Sequence, residues 1–207
     1  MSSVRARPAG TSAVLIELDS LEQVMGLDVA LRDAPPVGTV DLVPAARTVL
    51  VIFDAATTSV ERVDADISGR QISPVLAREG PLVEVPVVYD GEDLAEVAAL
   101  SGLAERDVVA RHLRPEYRVA FCGFAPGFAY IAGGDPALRV PRRRSPRTAV
   151  PAGSVALADE FTGVYPRQMP GGWQLIGRTV AALWNLDRDP PALLPPGTRV
   201  RFVKERP

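Results

Sequence analysis

The chain carries one histidine, His112, one cysteine, Cys122, and one lysine, Lys204, so the chemistry it can perform alone is narrow. A thiol nucleophile needs a base within hydrogen-bond reach, and the sequence spacing of His112 and Cys122 establishes no such geometry. Cys122 lies in the apolar run VAFCGF, where a small buried thiol is expected. His112 closes a helical pattern just before Pro115. A helix C-terminus would raise its proton affinity and suit it to a phosphate or carboxylate; a solvated capping residue is the other reading. Lys204 sits in FVKERP without preceding glycines, so no Walker loop exists, and without flanking Met it is not expected to carry biotin. A lone cysteine allows neither an intrachain disulfide nor a multi-thiolate zinc site, and no metal centre is expected.

Cationic chemistry is concentrated in RVPRRRSPR, with Arg139, Arg142, Arg143, Arg144 and Arg147. Pro141 and Pro146 make this an extended loop rather than a helix. Guanidinium forks in such a loop suit bidentate binding of a carboxylate or phosphate, or else one Arg enters a structural ion pair and the rest are solvated. Two glycine-and-aromatic segments flank it, GFAPGFAY (Gly123 to Tyr130) and PGGWQLIGRT (Pro170 to Thr179). Taken singly, each reads as a turn between strands.

These segments need a frame. Between Gly123 and Gly177 there are 9 Gly and 7 Pro in 55 residues, which excludes long helices and favours short strands and tight turns. Before it, DLAEVAALSGLAERDVVARH predicts two helices, from about Asp93 to Leu100 and from about Glu105 to His112. Glu105 and Asp107 would repel phosphates at the start of a DNA-reading helix, so an ordinary helical hairpin is expected. PLVEVPVVY (Pro81 to Tyr89) and TRVRFV (Thr198 to Val203) read as strands at either end of this half. Further upstream, SAVLIEL (Ser12 to Leu18) and TVLVIFD (Thr48 to Asp54) predict strands. Ser20 and Gln23 look like a capping box opening a helix with Leu21, Val24, Leu27 and Leu31 on one face. Thr58 to Ser68 predicts a second helix, ended by Gly69. The chain is therefore expected to be α+β, a small N-terminal α/β domain over 1–82 followed by a turn-rich β domain over 83–207.

Composition narrows the partners. In 207 residues, 23 Lys and Arg oppose 25 Asp and Glu, a net charge of −2 that argues against general affinity for nucleic acid or anionic membrane. The longest apolar runs, such as Val49 to Phe53, are far too short to span a bilayer, and the first residues form no signal peptide. A cytoplasmic protein is expected.

Read together, GFAPGFAY, VPRRRSPRTAVPAGSVALA and TGVYPRQMPGGWQLIGRT, in that order and spacing, resemble the family of 5-oxoprolinase B subunits, which also covers Kip-type histidine-kinase inhibitors and proteins labelled allophanate hydrolase subunit 1. The likeness runs from about Val83 to Val203. Met169 stands where a Ser is expected before PGGW, and DEF (Asp159 to Phe161) is unusual before TG. The resemblance implies a small α+β domain joined to a cyclophilin-like β-barrel. It also implies a role in the ATP-dependent opening of 5-oxo-L-proline to L-glutamate, beside a C-type carboxyltransferase homologue with a related barrel and a separate A-type hydrolase. ATP would be shared with, or bound mainly by, these partners, and the chain alone would be nearly inactive. The same likeness leaves two rivals, a regulatory module acting on a sensor histidine kinase and a hydrolase component handling an acyl-urea amide.

For a small cyclic amide the pocket must combine apolar ring contact with donors for the carboxylate and carbonyl. Gly127, Tyr130, Gly171, Gly172 and Trp173 are the candidates for its wall. His112 and Arg147, or another Arg of the 142–147 loop, are placed at its polar rim, with Arg178 as the alternative anion partner. In the rival reading the glycines only turn the chain and Trp173 only fills the barrel. An exposed apolar patch on the barrel is expected to mark the interface with the C-type partner.

Overall fold

A computed structural model describes residues 5–70 and 80–206. The chain divides into two units between residues 78 and 79.

The first unit runs β1 (Arg5–Pro8), β2 (Ala13–Glu17), α1 (Leu21–Asp33), β3 (Thr39–Pro44), β4 (Thr48–Phe53) and α2 (Val60–Ser68). Its antiparallel sheet has the order β1-β2-β4-β3. The two expected strands are its central pair, with Leu15 opposite Leu50. Ser20 accepts from the Gln23 N–H at the start of α1, as the capping pattern requires. Leu21, Val24, Leu27 and Leu31 are buried on one helix face, and Val63 and Ile67 of α2 join the same core.

The second unit contains β5 (Leu82–Val87), α3 (Leu94–Ser101), α4 (Glu105–Leu113), β6 (Tyr117–Cys122), β7 (Ala129–Ala132), a 3-10 turn (Pro136–Leu138), β8 (Arg147–Val150), β9 (Ser154–Ala158), β10 (Phe161–Val164), β11 (Met169–Gly171), β12 (Gln174–Arg178) and β13 (Arg199–Lys204). Leu82, assigned to the first domain on sequence, opens β5 of the second. Seven strands form one sheet in the order β12-β9-β10-β7-β6-β13-β5. Its outer strands meet at their ends, where Val88, just past β5, and Arg178, the last residue of β12, exchange N–H···O bonds of 2.9 and 2.8 Å. The sheet is thus a nearly closed barrel. The seam demands glycine: a Cβ on Gly177 would lie 2.5 Å from the Val88 carbonyl oxygen, and one on Gly91 2.4 Å from the Leu175 carbonyl oxygen.

The two helices form a hairpin rather than a reading head. Gly102 ends α3 in the left-handed region at φ 68°, and the Leu103 N–H returns to the Ala98 carbonyl. Val97 and Val108 point from α3 and α4 into the barrel core with Val85, Val87, Ile176 and Phe202.

Candidate functional site

The two glycine-and-aromatic segments meet. The first spans the β6–β7 turn and the second the β11–β12 turn. Phe128 and Tyr130 approach Trp173 edge-on, with ring centroids 5.5 and 5.6 Å apart. Phe121 stacks on Tyr130 at 4.4 Å, Phe161 meets it at 5.6 Å, and Tyr165 meets Phe128 at 5.4 Å. Glycines make room for these rings. A Cβ on Gly163 would fall 2.8 Å from Trp173, and one on Gly171 would fall 2.2 Å from the Tyr165 hydroxyl.

Trp173 is 5% exposed, so it serves mainly as packing beneath the site, while Tyr130 is half-buried and reaches the surface. Gly127, at φ +82°, turns towards the 183–184 backbone, where a Cβ would lie 2.9 Å from that of Trp184. A Cβ on Gly172 would lie 3.6 Å from the Pro146 ring, an ordinary contact, and the Gly172 carbonyl accepts from the Arg143 N–H at 2.7 Å.

The Arg loop is drawn to the same place by the short β8–β11 ladder, in which Gly171 pairs with Arg147. Its anchor is Asp93, a residue that sequence reasoning missed. Asp93 occupies the N-cap position of α3, yet its side chain makes no capping bond. It accepts instead from Arg147 at 2.8 and 2.9 Å, from Arg143, and from the Leu175 N–H at 2.7 Å. The side chain is 4% exposed. Burial works to raise its pKa, but the bonds from Arg147 and Leu175 and the charges of Arg147 and Arg143 outweigh this and hold it below the usual carboxylate range. Hydrogen bonding to Asp93 likewise raises Arg147, which also reaches Glu92 at 3.0 Å. Arg147 therefore holds the loop in place instead of standing free at a rim. Arg178 pairs with Asp90 at 2.9 Å beside the barrel seam.

Arg142 differs from Arg143 and Arg147. It is 60% exposed, its guanidinium carbon stands 6.0 Å from the Trp173 ring centroid, and Asp159 lies 3.9 Å away. Its positive charge opposes the burial that raises the Tyr130 and Tyr165 phenols.

His112 is not at the rim. It is fully buried (0% exposed), with Tyr89 Oη 2.7 Å from Nδ1 and Thr162 Oγ1 3.2 Å from Nε2. Phe202 and Tyr117 pack on its ring at 4.5 and 5.4 Å. Burial pushes its pKa down to about 3, the reverse of the rise expected from a helix C-terminus, because the charged imidazolium is disfavoured in the apolar interior. The i, i+4 spacing of Val108 and His112 was the signal that both lie on the inward face of α4. Cys122 donates to the Leu194 carbonyl at 3.4 Å, and burial raises its thiol to about 11, so it is not an activated nucleophile. Among the described residues no group of three or more His, Cys, Asp or Glu is placed to hold a metal ion.

Residues 4–194 match the family model described as carboxyltransferase domain, subdomain C and D. The chain is 41% identical to the 5-oxoprolinase B subunit of Escherichia coli O157:H7, over all of this chain and 98% of that one. It is 37% identical to the 5-oxoprolinase B subunit of Bacillus subtilis, over 94% of this chain and 90% of the other. The crystal structure of TTHA0988 superposes with a TM-score of 0.77 at 38% identity, over 95% of this chain; the chain spans 40% of the length of that one. On sequence, on length and on the barrel that carries the two glycine-and-aromatic turns, the chain belongs to the family of 5-oxoprolinase B subunits, built on a carboxyltransferase domain.

Proposed function

We propose that this chain is the B component of an ATP-dependent 5-oxoprolinase that opens 5-oxo-L-proline to L-glutamate together with its A-type and C-type partners. The observation that carries the reading is the near full-length likeness to relatives named as 5-oxoprolinase B subunits. The geometry agrees with it: an aromatic cluster with one half-buried phenol, an exposed guanidinium beside it, and a loop fixed by Asp93 suit a small ring bearing a carboxylate.

Arg143 and Arg147 are bound to Asp93 and Arg178 to Asp90, and the one lysine follows no glycine-rich phosphate loop, so the exposed Arg139 and Arg142 are read as serving a small carboxylate and not a polyphosphate. The nucleotide is therefore assigned to the partners, and this chain's part is to hold and orient the lactam. Partner docking has a candidate in the β6–β7 turn. Phe124 there has φ +69° and is 61% exposed, and the turn packs through Gly127 against Trp184, which with Leu186 is also exposed. A non-glycine residue held at positive φ with its ring in solvent is costly, and such strain gathers at functional sites, which supports this turn as the docking candidate. No helix among the described residues is long and apolar enough to cross a membrane.

The test is ATP hydrolysis on addition of 5-oxo-L-proline, measured for the chain alone and for the chain mixed with its A-type and C-type partner proteins. Turnover only in the mixture is expected. Robust lactam opening by the chain alone, or none in the mixture, would contradict the assignment.

A further inference from the structure

Beside Arg142 lies a cleft of about 330 Å³ lined by Arg139, Val140, Pro141, Asp159 and Glu160. It is formed where the Arg loop crosses the β9–β10 turn, and the Asp159 N–H fixes that crossing through a 2.7 Å bond to the Val140 carbonyl. We propose that this cleft binds a small α-carboxylate bearing a neighbouring N–H, with Arg142 taking the carboxylate and Asp159 the N–H. In naming a lactam acid as the natural ligand the proposal rests on the 5-oxoprolinase reading; the cleft and its chemistry do not.

Three observations support it. The cleft's two cation–anion pairs are loose: Arg142 to Asp159 is 3.9 Å and Arg139 to Glu160 3.8 Å, too long for hydrogen bonds, whereas Arg147 to Asp93 and Arg178 to Asp90 are 2.8 and 2.9 Å. Both partners of each loose pair keep bonding capacity for a ligand. Secondly, Asp159 is one of two non-glycine residues with positive φ among the described residues, at 52°, so the turn accepts backbone strain in presenting a carboxylate at the cleft. Thirdly, Arg142 lies by the Trp173 ring, which restricts the guanidinium before any ligand arrives.

The sign of the charges selects the ligand. A bare anion such as phosphate would meet Asp159 and Glu160, and a bare cation would meet Arg139 and Arg142. A molecule carrying an anionic group next to a hydrogen-bond donor satisfies both halves. 5-Oxoproline does so, with its ring N–H one carbon from its carboxylate, and it is small enough for the volume.

Isothermal titration of the full chain tests this with four probes: 5-oxo-L-proline, L-proline, 2-pyrrolidinone (N–H without carboxylate) and cyclopentanecarboxylate (carboxylate without N–H). Binding of 5-oxo-L-proline at least tenfold tighter than either half-ligand is expected. Arg142→Gln is expected to weaken it about tenfold or more and to erase its advantage over 2-pyrrolidinone. Asp159→Gly, which relieves rather than adds backbone strain, is expected to erase its advantage over cyclopentanecarboxylate. Arg144→Gln should leave all four unchanged. If L-proline binds in place of 5-oxo-L-proline with the same dependence on both variants, the cleft assignment stands and the lactam reading falls. No binding by any probe, or unchanged affinity in Arg142→Gln, overturns the cleft assignment, while the turnover assay still judges the lactam reading.

Discussion

Replacing Asp93 by Ala removes three things at once: the acceptor for the Leu175 N–H, both carboxylate bonds to Arg147, and the contact to Arg143. Breaking one side of a buried charge pair costs about 3–5 kcal/mol when the partner is stranded. Here the stranded guanidiniums keep partial access to water, Arg143 more than Arg147, which places the expected loss at about 3 kcal/mol. Asp93→Asn retains an acceptor for Leu175 and should lose about half as much, roughly 1.5 kcal/mol. Both tryptophans, Trp173 and Trp184, belong to the unit that contains Asp93, so urea unfolding followed by tryptophan fluorescence reports that unit directly. The midpoint should fall in the order wild type, Asn, Ala with an unchanged denaturant slope. The pH dependence has a definite sign. A carboxylate whose folded pKa lies below its unfolded value of about 3.9 contributes stability that is present above that value and lost as pH falls through the folded pKa. The gap between wild type and Asp93→Ala should therefore be constant from about pH 8 to 5 and close only below about pH 4. A loss under about 0.5 kcal/mol for Asp93→Ala at neutral pH would refute the view that this residue fixes the Arg loop.

Other expectations follow from the same geometry. His112 is neutral in the folded barrel with its pKa pushed down to about 3, while the unfolded chain protonates near about 6.5. The unfolded state binds more protons between these values, so stability falls by up to about 1.4 kcal/mol per unit as pH drops below about 6.5, and His112→Phe should flatten that slope in the same urea experiment. Gly171→Ala drives a methyl to 2.2 Å from the Tyr165 hydroxyl and should cost about 1–3 kcal/mol; pairing it with Tyr165→Phe should recover part of this, and strict additivity would count against the contact. Gly177→Ala meets the Val88 carbonyl at the barrel seam, where only backbone can yield, and should be the more damaging of the two by thermal melting. Cys122 should react slowly with iodoacetamide at about pH 8 until denaturant is added, and rapid labelling of the native chain would contradict its half-buried, raised-pKa thiol.

What the sequence revealed depended on whether local pattern and final environment agreed. β2 and β4 are central strands with alternating burial, and their β-branched runs are legible. β1 (RARP) and β3 (TVDLVP) lie at the two edges of that sheet, mostly exposed and proline-containing, so they carry little of the alternation that marks a strand. The glycine-and-aromatic segments were legible as a pair because glycine is needed wherever rings meet backbone, as at Gly171. Asp93 was not, because an acid at a helix start already has a local explanation; its real partners lie 50, 54 and 82 residues away. His112 was misplaced for the complementary reason, since its position at a helix end says nothing about the barrel floor beneath it.

The position of β13 has a consequence for the order in which the barrel can be made. The last of its strands in chain order is an interior one: it sits between β6 and β5, antiparallel to one and parallel to the other over Leu82 to Val87. Until residues 199–204 have been synthesised, β5 has no neighbour in the ladder and β6 has an open side, so the nascent barrel exposes two unsatisfied edges. The seam between Val88 and Arg178 can form only loosely without the strand that fixes β5. Closure thus waits for β13 to emerge and requires pairings of very high sequence separation, the circumstance in which folding is slow and edge-to-edge association competes with it. A chain stopped short of Arg199 should be recovered as aggregate rather than as a smaller soluble barrel.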